Sequence, residues 1–405
     1  MLISFGDFCI DTDRRELKRG GTDIAVEPQV FDLLICLIEN RHRVVSRDDL
    51  IADVWNGRIV SESTLATRIN MARRALDDNG EAQRLIRTIP RKGFRFVGEV
   101  SEAPAAKTPQ PAMSAVSIPP QSIGFCRTSD GVNIAFATAG SGPLLLKTAN
   151  WLNHLEHDWQ SPIWSPLFAR LAALCQFVRY DGRGNGLSDR DVADISFAGF
   201  ERDLDAVVDT LGLARFVLFG LSQGAATAIA YAARHPERVS GLIVYGGYAQ
   251  GRNRRDSPQD IAQAQAVLGI MRQGWGQEDS AYMRAFSSLY LPNGSREQIR
   301  WFADMQRQTT DADLAIRLRN ACDDIDVADI LPRVRVPTLV LHARKDSVVP
   351  VEQGRFLAAN IPGARFVTLD SENHVPIPGE LSWETLLGEI ETFVAETSAR
   401  IGVRH

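Results

Sequence analysis

A proline-rich stretch divides this 405-residue chain into two parts that we expect to fold separately. Between Ser101 and Ser122 the sequence SEAPAAKTPQPAMSAVSIPPQS carries five prolines and no apolar periodicity. Such a segment is extended and semi-rigid, because proline fixes its backbone and no apolar pattern is available for packing. The total length also favours more than one core. The sequence therefore predicts a domain over residues 1–100, a linker over 101–122 and a second domain over 123–395.

Composition restricts the class of protein. The chain is 44% hydrophobic and 23% charged, which is typical of globular domains and excludes a disordered or fibrous protein. Its five cysteines form no CxxC pair, which argues against a disulfide framework or a zinc site. No basic segment precedes an apolar run at the N-terminus, and the longest apolar stretch, 216–233, is interrupted by polar residues. We expect a cytoplasmic protein with no membrane partner, metal or cofactor.

The first part of the chain has the element order of a winged helix. Apolar periodicity and turn residues predict two strands, three helices and a strand pair around a basic turn. The strands are expected at Ile3–Ile10 and Glu16–Val26, the helices at Pro28–Glu39, Ser46–Trp55 and Ser61–Leu76, and the strand pair at Leu85–Ile89 and Phe94–Val100. Three helices followed by a basic hairpin favour a winged helix-turn-helix domain.

The third predicted helix has a polar face suited to reading DNA. Its apolar stripe recurs at intervals of three and four residues, which leaves the opposite face polar. Central residues of a recognition helix meet base edges, whereas flanking arginines and wing cations meet phosphates. The candidate DNA-binding residues are Ser63, Thr67, Arg68, Asn70, Met71, Arg73 and Arg74 on the helix, with Arg91 and Lys92 in the basic turn.

Local charge supports this interpretation, although the whole chain carries a net charge of −5. Between Arg58 and Arg95 nine cationic residues stand against four acidic ones. An excess of this kind on one face would bind a phosphate backbone in a salt-dependent way. A solvated charged helix without a partner is the alternative for any charge run taken alone.

The motifs favour the first interpretation. The segments VSRDDL, TLATRINMARRAL and IRTIPRKGFRF occur in an order and spacing that resemble the winged-helix output domain of the OmpR/PhoB class. The domain stands first in the chain, as in CadC-like and ToxR-like regulators, but a proline-rich linker follows it instead of a membrane span. The resemblance implies a one-component regulator that binds double-stranded DNA. One winged helix covers little DNA, so we expect a homodimer on paired half-sites. RNA polymerase is a further candidate partner.

The second part of the chain alternates strands with helices. A predicted hairpin at Ile123–Thr138 is followed by apolar strand candidates separated by helical segments. This alternation predicts an α/β fold with a doubly wound, mostly parallel sheet. A helical insertion of some 85 residues, at about 248–332, is expected to form a cap over the sheet.

Within this part, Gly220-Leu221-Ser222-Gln223-Gly224 lies between a predicted strand and a helix of small residues. In that context GxSxG indicates a nucleophile elbow. A serine nucleophile needs a base, and the base needs an orienting acid. Asp346 follows a later strand, and His374 follows the next one. We therefore predict Ser222, Asp346 and His374 as a catalytic triad, in the chain order of α/β-hydrolases.

Residues 123–395 resemble the α/β-hydrolase fold, including the segment VRYDGRGNGLSDR. The His-Gly pair expected after the third strand of that fold is missing. The oxyanion donors are therefore expected to be the backbone N–H of Gln223 and that of Asn150 or Trp151. The stretch WLNHLEHDW resembles hydrolase-like domains fused to nucleotide cyclases and winged-helix regulators, which favours a sensory role.

The same stretch offers two further sets of candidates. His154, Glu156, His157 and Asp158 could be considered as metal ligands, but their spacing fits no standard zinc motif, and a serine triad needs no metal. Trp151 and Tyr248 stand near predicted strand ends and are the candidate ligand-binding residues.

Two functions fit these residues. In the first, the chain is a transcription regulator whose second domain senses a small apolar ester, lactone or acyl ligand, with or without hydrolysing it. In the second, it is a serine hydrolase of the esterase or lactonase type with an accessory DNA-binding domain. Whether the triad turns over is left open. Regulation is favoured, because a DNA-reading helix and wing serve no purpose in a plain esterase.

Overall fold

The computed structural model divides into two compact units, residues 1–115 and 116–405, which are described one at a time. The middle of the predicted linker, 104–118, lies outside the described residues. No helix in the described part of the chain is both long and apolar enough to cross a membrane. The structure describes residues 2–12, 15–55, 60–103, 119–255, 257–278 and 280–402.

The N-terminal unit contains an antiparallel sheet, three helices and a two-stranded hairpin. The sheet has the order β4-β3-β2-β1-β7, and β5 pairs with β6. In chain order the elements are β1 Leu2–Phe5, β2 Phe8–Asp11, β3 Glu16–Arg19, β4 Thr22–Ile24, α1 Pro28–Glu39, α2 Arg47–Trp55, α3 Glu62–Ala75, β5 Ile86–Ile89, β6 Gly93–Phe96 and β7 Ser101–Ala103.

Each of the two strands predicted before α1 is a hairpin. The prediction of one strand over Ile3–Ile10 was wrong because Gly6, at φ +52°, turns the chain between β1 and β2. Gly20 and Gly21 also have positive φ and join β3 to β4. Only glycine adopts such angles without steric cost, so these glycines determine where the strands end.

The sheet also includes the beginning of the predicted linker. β7 pairs antiparallel with β1, so that Ala103 lies opposite Leu2. The first unit therefore extends beyond residue 100. The predicted linker also ends too late, because Ser122 already belongs to the first strand of the second unit.

The three helices form the core of the unit as the periodicity predicts. The apolar stripe of α3, with Leu65, Ile69 and Ala72, is buried in the same cluster as α1. Ser61 caps α3, since its side chain accepts the N–H of Thr64 at 3.2 Å. The hairpin packs closely on the loop before α2. At Gly93 a β-carbon would lie 2.0 Å from the carbonyl oxygen of Val45, so only glycine fits there.

The C-terminal unit is built on an eight-stranded sheet of the order β15-β14-β13-β12-β10-β11-β9-β8. Its elements are β8 Ser122–Arg127, β9 Asn133–Ala139, β10 Leu144–Lys147, α4 Leu155–Gln160, α5 Ser165–Leu174, β11 Gln176–Tyr180, α6 Phe197–Thr210, β12 Phe216–Leu221, α7 Gly224–Arg234, β13 Val239–Tyr245, α8 Pro258–Gly274, α9 Ala281–Tyr290, α10 Arg296–Thr309, α11 Ala312–Asp323, β14 Thr338–Ala343, α12 Val351–Asn360, β15 Arg365–Leu369 and α13 Leu381–Gly402. Short 3₁₀ helices occur at Arg252–Arg254 and Ala328–Arg333.

The six strands from β10 to β15 are parallel, and β8 and β9 form an antiparallel edge. Every residue of β12, β13 and β14 is buried, as expected for strands covered by helices on both faces. Four helices, α8 to α11, lie between β13 and β14 and form the predicted insertion. Because parallel strands end at the same edge, the loops after β12, β14 and β15 meet there.

Candidate functional site

The loop after β12 places Ser222 in a strained conformation. Its φ is +53°, which a residue with a side chain rarely adopts. The turn requires close approach on both sides. A β-carbon at Gly220 would lie 2.5 Å from Cα of Ala225, and one at Gly224 would lie 2.4 Å from the carbonyl oxygen of Ala149. Gly220 therefore lets β12 and α7 pack closely, Gly224 lets α7 approach the loop after β10, and Ser222 lines the cavity.

The structure brings the three predicted catalytic residues into one hydrogen-bonded chain. Oγ of Ser222 lies 2.8 Å from Nε2 of His374, and Nδ1 of His374 lies 2.7 Å from Oδ2 of Asp346. Oδ1 of Asp346 accepts the backbone N–H groups of Val348 and Val349. Burial raises the pKa of Asp346, but the adjacent His374 and the N–H of Val349 outweigh it, so that the pKa is lowered overall. The carboxylate is thus ionised and oriented toward the imidazole.

The cap holds the loop that carries His374. The N–H groups of His374 and Val375 both donate to the carbonyl oxygen of Tyr290, the last residue of α9, at 3.0 and 3.3 Å. The Tyr290 ring also meets the His374 ring edge-on, with centroids 5.5 Å apart. Nearby, the N–H of Asn293 donates to Oδ1 of Asn373. The position of the imidazole therefore depends on the cap as well as on Asp346.

A cavity lies at Ser222. All four residues predicted for the oxyanion hole and the ligand, Gln223, Asn150, Trp151 and Tyr248, line it. Within the described residues no backbone carbonyl accepts the N–H of Gln223, Asn150 or Trp151, so these donors are available. The Asn150 side chain is occupied, because its Oδ1 accepts from Nζ of Lys147 at 2.6 Å. Which of Asn150 and Trp151 supplies the second oxyanion donor stays a prediction.

In the other unit, six of the nine predicted DNA-binding residues are exposed. They are Ser63, Thr67, Asn70, Arg74, Arg91 and Lys92. Arg68 and Met71 are half-buried. Arg68 forms an ion pair with Glu27, and its guanidinium also contacts the Met71 sulfur at 3.4 Å. The exposed set forms a polar face on α3 and a basic tip on the hairpin.

Arg73 is buried, and its prediction as a phosphate contact was wrong. Only 5% of the residue is exposed. Its Nη2 donates to the carbonyl oxygen of Ile86 at 2.9 Å and to Oγ1 of Thr88 at 2.8 Å, so it ties α3 to the hairpin. The position follows from helical geometry, since Arg73 comes four residues after the buried Ile69 and therefore lies on the same face.

Comparisons with known proteins agree with both halves of this description. The family model described as alpha/beta hydrolase fold matches residues 155–380, which is more than half of the chain. The chain belongs to this family. A second model, described as the C-terminal domain of transcriptional regulatory proteins, matches residues 21–96 of the winged-helix unit. That domain implies DNA binding.

The hydrolase unit covers most of the length of its relatives and structural neighbours. The AB hydrolase superfamily protein YisY of Bacillus subtilis is 25% identical over 252 residues, covering 62% of this chain and 91% of that protein. A pimeloyl-[acyl-carrier protein] methyl ester esterase of Neisseria meningitidis is 27% identical over 231 residues, covering 55% and 86%. The crystal structure of a hydrolase from Pseudomonas aeruginosa PA01 is 25% identical, with a TM-score of 0.56 and coverage of 67% and 98%. The enol-lactonase from Burkholderia xenovorans LB400, at 22% identity, a TM-score of 0.53 and coverage of 67% and 100%, shows the fold alone.

Next to the loop that follows β10 and carries Asn150 and Trp151, the hydrolase unit contains a buried charged cluster that the sequence did not reveal. Lys147, Asp158, Arg179 and Asp181 are all buried in it. Burial lowers the pKa of Lys147 to about 7 and raises that of Asp181 to about 8. Lys147 also donates to the carbonyl oxygen of Thr148 at 3.1 Å, so the cluster fixes the loop that carries the oxyanion candidates. The sequence feature that could have indicated this cluster is a lysine, Lys147, at the end of the apolar strand β10.

A second buried imidazole, that of His342, stands behind the triad. Its Nε2 lies 2.8 Å from the carbonyl oxygen of Val349, in the loop that holds Asp346, and 3.7 Å from Oδ2 of Asp346. Burial lowers the pKa of His342, which favours the neutral ring. His342 therefore supports the acid loop and does not compete with His374 for the serine.

Two of the four residues considered as metal ligands, His154 and Asp158, have side chains with structural roles. Nδ1 of His154 accepts the N–H groups of Glu156 and His157 at the start of α4, and Oδ2 of Asp158 accepts the N–H of His154 at 3.1 Å. Among the described residues, no three His, Cys, Asp or Glu side chains are grouped so that they could share a metal ion.

Proposed function

We propose that the chain is a one-component transcription regulator whose hydrolase unit senses a small ester, lactone or acyl ligand. One observation carries this proposal. The same chain presents an exposed polar face on α3 and a Ser–His–Asp chain that opens on a cavity. In this proposal a ligand that binds in the cavity is the signal, and DNA binding by the winged-helix unit is the response.

The proposed chemistry at Ser222 follows from the observed hydrogen bonds. Ser222 Oγ attacks the carbonyl carbon of the ester while His374 Nε2 takes its proton, and Asp346 holds the Nδ1 proton and stabilises the imidazolium. The negative charge on the carbonyl oxygen is received by the N–H of Gln223 and one from Asn150 or Trp151. His374 then returns the proton to the leaving alcohol, and water releases the acid from the acyl-serine. If this last step is slow, the acyl-serine is itself the signalling state.

The signal reaches DNA through a shift between two conformations. A ligand shifts such an equilibrium only by its difference in affinity for the two states. The cap is the proposed element that changes, because α9 contacts the loop of His374 directly. We propose a homodimer on paired half-sites, since one winged helix covers too little DNA for strong specificity.

The regulator is proposed to work in the cytoplasm, in contact with DNA and RNA polymerase. All five cysteines lie among the described residues and none forms a disulfide, which fits a reducing compartment.

The decisive experiment measures DNA binding by the full chain. A fluorescent duplex from upstream of its own coding sequence is titrated at several salt concentrations, with and without simple esters. The proposal predicts specific binding that weakens with salt and changes at least threefold on adding an ester. The Ser222→Ala variant separates the two forms of the proposal. If it retains the ester response, binding suffices, and if it loses the response, acylation is required. Absence of specific duplex binding at every salt concentration contradicts the proposal.

A serine hydrolase with an accessory DNA-binding domain is the second candidate. The favouring observation is that Ser222, His374 and Asp346 make all the hydrogen bonds of a working triad. The esterase from Neisseria meningitidis suggests an ester as the substrate class. Rapid ester turnover combined with no effect of esters on duplex binding would favour this candidate over regulation.

A further inference from the structure

Two arginines lie in the wall of the cavity that contains Ser222. Arg252 belongs to the 3₁₀ helix after β13, and Arg319 belongs to α11 of the cap. Their side chains are only 8% and 7% exposed. A buried charge is costly unless it is paired, so two guanidinium groups beside a hydrolytic serine need an explanation.

A single carboxylate serves both arginines. Oδ1 of Asp323 lies 3.3 Å from Nη1 of Arg252, and Oδ2 lies 3.0 Å from Nε of Arg319. The nearby Asp346 does not line the cavity, and its oxygens are occupied by His374 and two backbone N–H groups. Arg255 is directed to Asp260 and the Tyr248 ring, and it too lies outside the cavity wall. Asp323 does not line the cavity either, so two guanidinium groups in the wall share one carboxylate, and the group of Arg252, Arg319 and Asp323 keeps one positive charge in excess.

The two guanidinium groups also have donors without acceptors. Nη2 of Arg252 donates to the carbonyl oxygen of Val348 at 2.8 Å, but its Nε is buried and has no hydrogen-bond partner among the described residues. Nη1 of Arg319 donates to the Tyr290 hydroxyl at 3.3 Å, and no described residue accepts from its Nη2. Buried donors are nearly always satisfied in native proteins, so the unpartnered Nε of Arg252 is a departure that needs an explanation, and Nη2 of Arg319 is a second donor free to meet a ligand.

Arg319 is close to the reacting groups. Its Cζ lies 5.4 Å from the ring centre of Trp151, beside the predicted oxyanion donors. Through the Tyr290 hydroxyl it is connected to the ring that packs edge-on against His374. A negative group bound at Arg319 would therefore lie within a short carbon chain of an ester carbonyl at Ser222.

We propose that the ligand is an ester or lactone that carries a carboxylate, which binds Arg319 and Arg252. This inference rests on the proposed function, because it assumes that Ser222 faces an ester carbonyl. The sequence predicted a mainly apolar ligand, and the buried arginines change that expectation. The single excess charge matches a carboxylate better than a phosphate, which brings nearly two negative charges at neutral pH. The planar guanidinium fork also suits a carboxylate.

The test compares two esters that differ only in this group. Monomethyl glutarate ends in a carboxylate where methyl pentanoate ends in a methyl group. Binding of each to the full-length Ser222→Ala chain is measured by calorimetry, and hydrolysis of each is measured with the unmodified chain. We expect the glutarate ester to bind at least tenfold more tightly and to show a correspondingly higher kcat/KM if it is turned over.

Variants then locate the effect. Arg319→Gln and Arg252→Gln, each in the Ser222→Ala chain, should reduce the preference for the glutarate ester at least fivefold. Arg254→Gln is the matched control, because Arg254 is an exposed arginine of the same 3₁₀ helix. Thermal unfolding checks that each variant folds, and Arg319→Lys, which keeps the charge, should retain part of the preference if Arg319→Gln does not fold.

Three results overturn the inference. The first is binding of the glutarate ester that is no tighter than binding of methyl pentanoate. The second is a loss of the preference in Arg254→Gln equal to that in the other two variants. The third is no binding of either ester at millimolar concentration. Labelling of Ser222 with a fluorophosphonate distinguishes this failure from failure of the proposed function. If the serine reacts while the glutarate ester shows no preference, only the carboxylate inference fails. If the serine does not react, the proposed chemistry fails with it.

Discussion

The two units place their functional groups in opposite environments. In the hydrolase unit, His374 and Asp346 are buried, and backbone N–H and carbonyl groups fix the loops that carry them. In the winged-helix unit, Asn70 and Arg74 extend into solvent from a helix whose other face forms the core. An enclosed site is specified by the fold, whereas an exposed face acquires its function from a partner. The two sites should therefore respond differently to substitution.

Ser222→Ala should have the largest effect. Removing the nucleophile of a serine triad costs about 10⁶-fold in kcat, because no acyl intermediate can form. The measurement is the hydrolysis of p-nitrophenyl esters by the full chain, together with fluorophosphonate labelling. Duplex affinity in the absence of ligand should not change, since Ser222 belongs to the other unit. A Ser222→Ala chain that still hydrolyses esters at the original rate would remove the triad from the mechanism.

Asp346→Asn should reduce kcat by about 10⁴-fold, because the amide favours the wrong imidazole tautomer. The matched control is Asp370→Asn, which changes an exposed aspartate after the neighbouring strand β15. Fluorophosphonate labelling of Ser222 should slow in the first variant and remain unchanged in the second. Similar losses in both variants would point to a general electrostatic effect instead of an orienting role.

Asp78 departs from this contrast, because it belongs to the winged-helix unit but is enclosed. It is buried, and its carboxylate accepts the N–H groups of Asn79, Arg84, Leu85 and Ile86 at 2.9–3.1 Å. Burial raises the pKa of Asp78, but these four donors outweigh it, so that the pKa is lowered overall. A carboxyl group whose pKa is lowered on folding stabilises the folded state when the pH is above its ordinary pKa. That stabilisation is lost as the pH falls through the pKa of the folded state.

Asp78→Asn should therefore destabilise the hairpin by about 1–3 kcal/mol at pH 7, and the difference should shrink below about pH 4. Hydrogen exchange of the hairpin amides in the full chain measures this locally. Asp77→Asn is the control, because the Asp77 side chain is 65% exposed. A difference that is the same at pH 7 and pH 3 would show that the carboxylate charge is not responsible.

The smallest effect is expected for Arg74→Ala. Losing one phosphate contact should reduce the slope of log affinity against log salt by about one unit, with unchanged thermal stability. Its neighbour gives the sharpest contrast, because Arg73→Ala removes the bonds between α3 and the hairpin and should lower the stability of the unit instead. If Arg73→Ala and Arg74→Ala change the salt slope equally and leave stability intact, the assignment of the two faces is wrong.

The sequence predicted the enclosed part of the molecule well for a physical reason. Buried parallel strands appear as apolar runs, and the residues that follow them meet at one edge, so the chain order of Ser222, Asp346 and His374 was informative. α1 was predicted with its observed bounds because Pro28 begins it and its apolar period is regular. The α3 stripe was also predicted, but the flanking Arg73 was assigned to the wrong side.

What escaped prediction depends on contacts between distant segments. Arg252 and Asp323 are 71 residues apart, and no local pattern indicates that they meet. The charge of Lys147 is compensated by groups on other strands and helices, so only the assembled sheet reveals the cluster. Arg319 and Asp323 do stand four residues apart on one helix, which was a usable signal for an ion pair but not for its position in the cavity.

The hydrogen bonds between the Tyr290 carbonyl and the loop of His374 couple the position of the cap to the geometry of the triad. A ligand that enters by displacing α9 must break the two hydrogen bonds that the N–H groups of His374 and Val375 donate to the Tyr290 carbonyl, and the imidazole then loses this support. Displacement of α9 would therefore open the cavity and disturb the triad at the same time. If the proposed function is correct, hydrolysis would begin only after α9 has returned, which leaves an interval in which a bound ligand is not yet hydrolysed.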